Sequence, residues 1–217
     1  MAAYTPVFFD LDGTLTDPGD GITRSVAYAL RRFGIEEPDR TRLYPFIGPP
    51  LIDSFMQFYG FSPEQARQAV SCYREYFREK GIFENKVYPG VPQLLQALQA
   101  AGIPAVLATS KPEPFALQIL DHFGLRPYFT AVAGAAMDES RTRKDEVLRY
   151  ALTKCAPGTA RTAVMVGDRE HDVKGAAAVG IPCIGVTYGY GSAAELTAAG
   201  AAAVVDSIEA LQRLLLA

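Results

Sequence analysis

An α/β fold built on a parallel sheet is predicted by three observations. From residue 87 onward, short β-rich runs alternate with helical patterns, the rhythm of strand-helix-strand units. An apolar run near the start, Val7-Phe8-Phe9, reads as a strand and is cut off from that rhythm by residues 18–85, which carry helical patterns and no convincing strand. With 217 residues, 49% of them hydrophobic, the chain can bury one large core or a core plus a smaller domain.

The first strand ends in Asp10, Leu11, Asp12 and Gly13. A strand period of two sends both carboxylates to one side, roughly 6 to 7 Å apart along the strand, and Gly13 frees the backbone to turn. Two like charges so placed demand a compensating cation. In the insertion, Asp20 can cap a helix with Ile22, Val26, Ala29, Leu30 and Phe33 on one face and Gly34 past its end. Ser62-Pro63-Glu64-Gln65 is a capping-box start for a second helix, carrying Ala66, Ala69, Val70, Tyr73 and Phe77 and closed by Gly81. Both stripes read as core packing. Between them, Phe46-Ile47-Gly48-Pro49-Pro50 reads as a stiff tip carrying apolar side chains.

Beyond the insertion the predicted elements are a helix 92–101, a strand 103–109, a helix 112–123, a strand 131–134, a helix 143–152, a strand 162–166, a helix 172–179, a strand 182–186 and a helix 207–216. Residues 198–203 are alanine-rich and carry no assignment.

Composition narrows the function classes. A net charge of -3, from 21 Lys+Arg against 24 Asp+Glu, gives no support for nucleic-acid or anionic-membrane binding. Cys72, Cys155 and Cys183 are scattered and odd in number, so neither a disulfide framework nor a zinc site is indicated; they read as small core hydrophobes. No basic-then-apolar leader and no apolar run of spanning length is seen, which makes the cytoplasm the expected location.

Three later segments carry chemistry. In Val106-Leu107-Ala108-Thr109-Ser110-Lys111 a strand runs into a hydroxyl that can donate to a phosphoryl oxygen without adding charge; taken alone it also fits an ordinary turn, and Lys111 reads as solvated. Lys144 stands among Arg141 and Arg143, where a basic cluster is usually a solvated face. Val164-Met165-Val166-Gly167-Asp168 is a strand and a glycine turn, with Asp172 four residues on; on a helical turn the two carboxylates share a face and repel unless a cation is bound. His171, between them, reads as surface or packing.

These segments together resemble the haloacid-dehalogenase-like hydrolases, in the phosphatase branch. Phe9-Asp10-Leu11-Asp12-Gly13-Thr14 is similar to the family's DxDGT motif, Thr109 to its second motif, Lys144-Asp145-Glu146-Val147 to its third, and Gly167-Asp168 with Asp172 to GDxxxD. The resemblance implies a doubly wound, Rossmann-like sheet of order 5-4-1-2-3. The core would comprise residues 1–17 and 86–217, with residues 18–85 as an all-helical cap of the C1 type that closes over the active site. The four motifs then meet at the carboxyl ends of strands, where the winding reverses.

The resemblance also assigns roles. Asp10 is the nucleophile forming an aspartyl-phosphate and Asp12 the acid and base, assisted by Thr109 and Lys144. Gly13, Thr14, Ser110, Lys111 and Phe46 are the candidate substrate contacts. Mg²⁺ is held by the Asp10 carboxylate, the Asp12 carbonyl and Asp168, with Asp172 binding it directly or orienting Asp168 or a water. Three carboxylates and a dianionic phosphoryl group carry about five negative charges against three from Mg²⁺ and Lys144, so neither cation suffices alone.

The expected activity is Mg²⁺-dependent hydrolysis of a small phosphomonoester, resembling phosphoglycolate phosphatase. The alternatives are a 5'-nucleotidase, a phosphosugar mutase and, outside enzymes, a receiver-like phospho-accepting module. A dehalogenase lacks the second aspartate, so Asp12 argues against it. Motifs that read only the phosphoryl group leave the leaving group open.

Overall fold

The computed structural model describes residues 4–217. The chain divides into two compact units: residues up to Thr16 together with Val87–Ala217, and the inserted Asp17–Lys86. The first contains a six-stranded sheet made of β1 (Val7–Phe9), β4 (Ala105–Pro112), β5 (Phe129–Ala135), β6 (Val164–Gly167), β7 (Cys183–Val186) and β8 (Ala203–Val205). Its order is β5-β4-β1-β6-β7-β8, and every pairing is parallel.

The first five of these strands take the expected order, and β8 extends the sheet by one. That edge strand is only three residues long, Ala203-Val204-Val205, and directly follows the alanine-rich run 198–203, which hides its start. Short α8 (Ala193–Ala199) was equally invisible: it is capped by Ser192, whose hydroxyl accepts from the Glu195 amide, and ends at the left-handed Gly200.

β1 is the switch point. Val7, Phe8 and Phe9 have no solvent exposure, as suits a strand covered on both faces, whose sequence is continuously apolar rather than alternating. Phe9 pairs with Leu107 of β4 on one side and Val166 of β6 on the other, so the residues after these three strands emerge at one level. Phe8, Val106, Ala108 and Met165 form one face of the core with α6 (Lys144–Thr153), α7 (Glu170–Ala177) and α8. The opposite face takes α4 (Val91–Ala100), α5 (Glu113–His122) and α9 (Ile208–Leu216), with Phe9 and Phe129 meeting edge to face.

The inserted unit contains α1 (Gly19–Arg32), a 3₁₀ segment Arg40–Phe46, α2 (Leu51–Tyr59), α3 (Pro63–Tyr76) and a π turn Phe77–Gly81. The capping box at Ser62 and Gln65 forms in both directions. Asp20 is not the cap of α1. The helix begins at Gly19, Asp17 accepts from the Gly19 amide, and Asp20 sits in the first turn paired with Arg40 at 2.9 Å. The two chain crossings fall in short strands, β2 (Thr16–Asp17) and β3 (Lys86–Val87), which pair with each other. Among the described residues no helix is long and apolar enough to cross a membrane.

Candidate active site

The site is assembled at the carboxyl ends of β1, β4 and β6. β1 stops at Phe9, and Asp10 is held by its amide donating to the Val166 carbonyl. The expected pleat therefore does not carry Asp12: a tight loop does, in which the amides of Thr14, Leu15 and Thr16 all point to the Leu11 carbonyl. Gly13 makes that loop possible, with φ of 81° and a position where a Cβ would run into the Asp168 carboxylate. Asp10, Asp12 and Thr14 are all buried.

β4 continues past the expected end at Thr109, and its register with β5 shifts between Ala108 and Pro112. Thr109, Ser110 and Lys111 occupy this irregular stretch, the kind of place where a strand re-aims its side chains. The Thr109 hydroxyl accepts from the Lys111 amide at 3.2 Å, and Ser110 is half-buried. Lys111 is not a solvated lysine. Its side chain is 4% exposed and its Nζ lies 2.7 Å from Asp12 Oδ2, which brings a cation to the site that the charge count from sequence omitted.

Lys144 is the first residue of α6, and its buried ammonium ties that helix to the loop after β1, to β4 and to α7. It stands 2.8 Å from Asp10 Oδ1 and 2.7 Å from Asp172 Oδ1, and donates to the Ala108 carbonyl at 3.1 Å. Asp168 precedes α7 and Asp172 lies in its first turn, so the two do not share a helical face as their spacing predicts. Asp172 Oδ2 instead caps the helix by accepting from the Arg169 amide at 3.1 Å, and Asp168 Oδ2 accepts from the Tyr190 amide at 2.8 Å.

The electrostatics show a deficit of positive charge. Burial raises the Asp168 carboxyl well above the usual carboxylate range, the Asp172 charge adds to this, and the Tyr190 amide only partly opposes it. Burial pushes Asp172 up to about 6 against the pull of Lys144, and raises Asp12 against that of Lys111. For Lys144 burial works against the charge, but Asp10 and Asp172 outweigh it and hold the ammonium above its ordinary value. Asp10 Oδ1 and Asp172 Oδ1 face the ammonium without a well-aligned hydrogen bond, and the buried Asp12 Oδ1 has no hydrogen-bond partner among the described residues.

Asp10, Asp168 and Asp172 each offer a carboxylate oxygen within 4.8 Å of the others. A buried donor set made only of oxygen suits a hard divalent cation, and the raised carboxyl groups are what such an ion would relieve. The Asp12 carboxylate stands apart from this trio, committed to Lys111.

The protein-family model described as "Haloacid dehalogenase-like hydrolase" matches residues 7–186. The chain belongs to this family. Among relatives of this hydrolase, a "5'-nucleotidase" of Pseudomonas aeruginosa is 51% identical, covering 90% of this chain and 88% of that one. The "Tyrosine-protein kinase PtkA" of Mycobacterium tuberculosis is 43% identical over 86% of this chain and 63% of its own length. Among solved structures, "a predicted phosphatase from Clostridium acetobutylicum" superposes with a TM-score of 0.94, at 48% identity and with 98% of each chain covered.

Of the candidate residues in this hydrolase, Asp10, Asp12, Gly13, Thr14, Thr109, Ser110, Lys111, Lys144, Asp168 and Asp172 belong to the sheet-containing unit, whereas Phe46 belongs to the inserted one. There Phe46 is 2% exposed and packs on Phe55, Phe58 and Tyr59. Ile47 has no exposure. Of the tip expected at 46–50, Phe46 thus packs into the unit's own aromatic cluster, an arrangement that supports a packing role for it. Phe46→Ala is expected to destabilise the protein by about 3 to 5 kcal/mol and leave the order of preference among esters unchanged. Urea unfolding and kcat/KM on several esters check this; an altered rank order would return Phe46 to recognition.

The sequence reading missed residues 187–192, which supply the Tyr190 amide to Asp168. The available signal was the alternation of tyrosine and glycine in Tyr188-Gly189-Tyr190-Gly191, directly after a strand.

Proposed function

We propose that this chain, a phosphatase of the haloacid dehalogenase-like family, hydrolyses a small phosphomonoester with Mg²⁺ and an aspartyl-phosphate at Asp10, and that its substrate class is a nucleoside monophosphate. The observation that carries the reading is the pairing of each catalytic aspartate with its own buried lysine, Asp10 with Lys144 and Asp12 with Lys111, at 2.8 and 2.7 Å. Two buried carboxyl groups placed there for packing alone would be costly; two with separate cations are equipped for separate tasks, and burial raises Asp12 against the pull of Lys111, as suits a group that carries a proton to give.

In the first half-reaction an Asp10 carboxylate oxygen attacks phosphorus and the bond to the ester oxygen breaks, while Asp12 gives that oxygen its proton. In the second, Asp12 takes a proton from a water that attacks the same phosphorus, releasing inorganic phosphate and restoring Asp10. Lys144 offsets the charge at Asp10, the Thr109 hydroxyl donates to a phosphoryl oxygen, and Gly13, Thr14 and Ser110 line the group. Lys111 holds Asp12 in reach of the ester oxygen. Mg²⁺ bound by Asp10, Asp168 and the Asp12 carbonyl would supply two further positive charges for the phosphoryl oxygens. Asp172, already engaged by Lys144 and the Arg169 amide, orients these groups.

The identity of 51% to a chain named 5'-nucleotidase favours a nucleoside monophosphate over phosphoglycolate, and membership in a hydrolase family leaves a receiver-like module without support. The inserted residues act as the cap that selects the leaving group, and the enzyme works in the cytoplasm, in keeping with three cysteines that are all unpaired.

The test is a panel of nucleoside 5'-monophosphates, phosphoglycolate and sugar phosphates assayed with Mg²⁺, with Ca²⁺ and in excess chelator. A nucleoside monophosphate is expected to give the highest kcat/KM, Ca²⁺ to support activity poorly because of its looser coordination, and chelator to abolish it. Full activity in chelator overturns the metal requirement; a preference for phosphoglycolate overturns the substrate class.

A further inference from the structure

We propose that the loop between β7 and α8, residues 187–192, is a positioning element that fixes the Asp168 carboxylate toward the cation. The proposal rests on Asp168 as a cation ligand and adds what sets its direction. Three independent contacts converge on this loop. The Tyr190 amide donates to Asp168 Oδ2 at 2.8 Å, and Oδ1 meets the Thr14 hydroxyl at 3.5 Å. The Tyr188 hydroxyl donates to the Thr14 carbonyl at 3.1 Å, and its ring packs on Tyr88 with centroids 5.2 Å apart. That bond ties the loop after β7 to the loop after β1, the two sides of the slot in which the Asp168 side chain lies.

Gly189 is the third contact. A Cβ there would run into both Asp168 Oδ2 and the carbonyl oxygen of Gly13. Its φ is not in the left-handed region, so the position requires glycine for approach rather than for backbone conformation. Gly13 closes the other side in the same manner, its absent Cβ occupied by the same carboxylate. Asp168 thus lies between two glycine backbones, with one oxygen bound to an amide. A carboxylate with no exposure could be left at this position by packing alone, but packing does not require an amide aimed at one oxygen and a tyrosine bracing the opposite wall. Partners that orient a ligating carboxylate set its affinity for the ion as well as its geometry.

The experiment measures binding of Mn²⁺, as a spectroscopic stand-in for Mg²⁺, by counting free ion with electron paramagnetic resonance in the full chain. Gly189→Ala is expected to raise the Kd for Mn²⁺ about 10- to 100-fold. Tyr188→Phe, which removes only the hydroxyl bridge to Thr14, is expected to raise it about threefold. Ser207→Ala, which removes the cap of α9, should lose stability with Kd unchanged. The metal concentration for half-maximal activity should move with Kd in the loop variants and by a larger factor than kcat at saturating metal. A wild-type Kd in folded Gly189→Ala overturns the proposal; if that variant does not fold, a wild-type Kd in Tyr188→Phe does so. Asp168→Asn separates this from failure of the underlying reading: wild-type Mn²⁺ affinity in that variant means that Asp168 is not a ligand, whereas its loss together with wild-type affinity in the loop variants removes only the positioning role.

Discussion

Asp10→Asn is expected to lower kcat by about 10⁴-fold or more and to leave the unfolding midpoint within a few degrees of wild type. The amide is nearly the size of the carboxylate, so the packing after β1 is undisturbed, and Asp10 makes its backbone bond to Val166 whatever its side chain. What disappears is the oxygen lone pair with negative charge that attacks phosphorus. The variant also removes one of the carboxylates crowded around Lys144, which offsets part of the ion pair lost at 2.8 Å. Rapid mixing with phosphorus-labelled substrate and an acid quench provides a second readout: wild type should carry label on the protein and Asp10→Asn none. Activity within tenfold of wild type, or label retained in the variant, would remove Asp10 as the nucleophile.

The fold was legible where sequence patterns depend on burial. A strand covered on both faces must be apolar throughout, so β1 and β6 announce themselves, and an amphipathic helix such as α3 repeats its buried positions at Ala66, Ala69, Val70 and Tyr73. α8 was not legible because its alanines suit either state, and β8 was not because three residues at the edge of a sheet are too few to show a pattern, although two of them are valines. The site was legible in its charged residues, since paired carboxylates at strand ends have few structural uses. Their partners were harder to find. Nothing in sequence distinguishes the buried Lys111 from a solvated lysine, because its burial follows from a register shift in β4 that no local propensity encodes. Phe46 was ambiguous for the converse reason: glycine and prolines beside it mark a turn, but whether a turn points its apolar residues outward or into an aromatic cluster is decided by tertiary packing.

Lys144→Met is expected to have the second-largest effect, and to act on stability and turnover together. The lysine side chain is 3% exposed, and its stem lies against Gly175, where a Cβ would meet that of Lys144 at 2.6 Å; unbranched methionine keeps the stem without widening it. Substitution leaves Asp10 and Asp172 facing each other in a buried space, and removing one partner of a buried ion pair costs about 3 to 5 kcal/mol. In chelator the urea midpoint of Lys144→Met should therefore fall well below that of wild type. Adding Mg²⁺ should narrow the gap, because an ion held by Asp10 and Asp168 would return positive charge to the carboxylate cluster that also contains Asp172. Turnover should not recover with stability. The Lys144 ammonium is fixed at 2.8 Å from Asp10 Oδ1, and a metal bound to the remaining carboxylates would not restore that contact, so kcat should remain reduced by about 10²-fold or more at saturating metal. Restoration of kcat by metal alone would mean that the two cations are interchangeable, and that Lys144 is there to hold the aspartates together rather than to offset the charge of the reacting group.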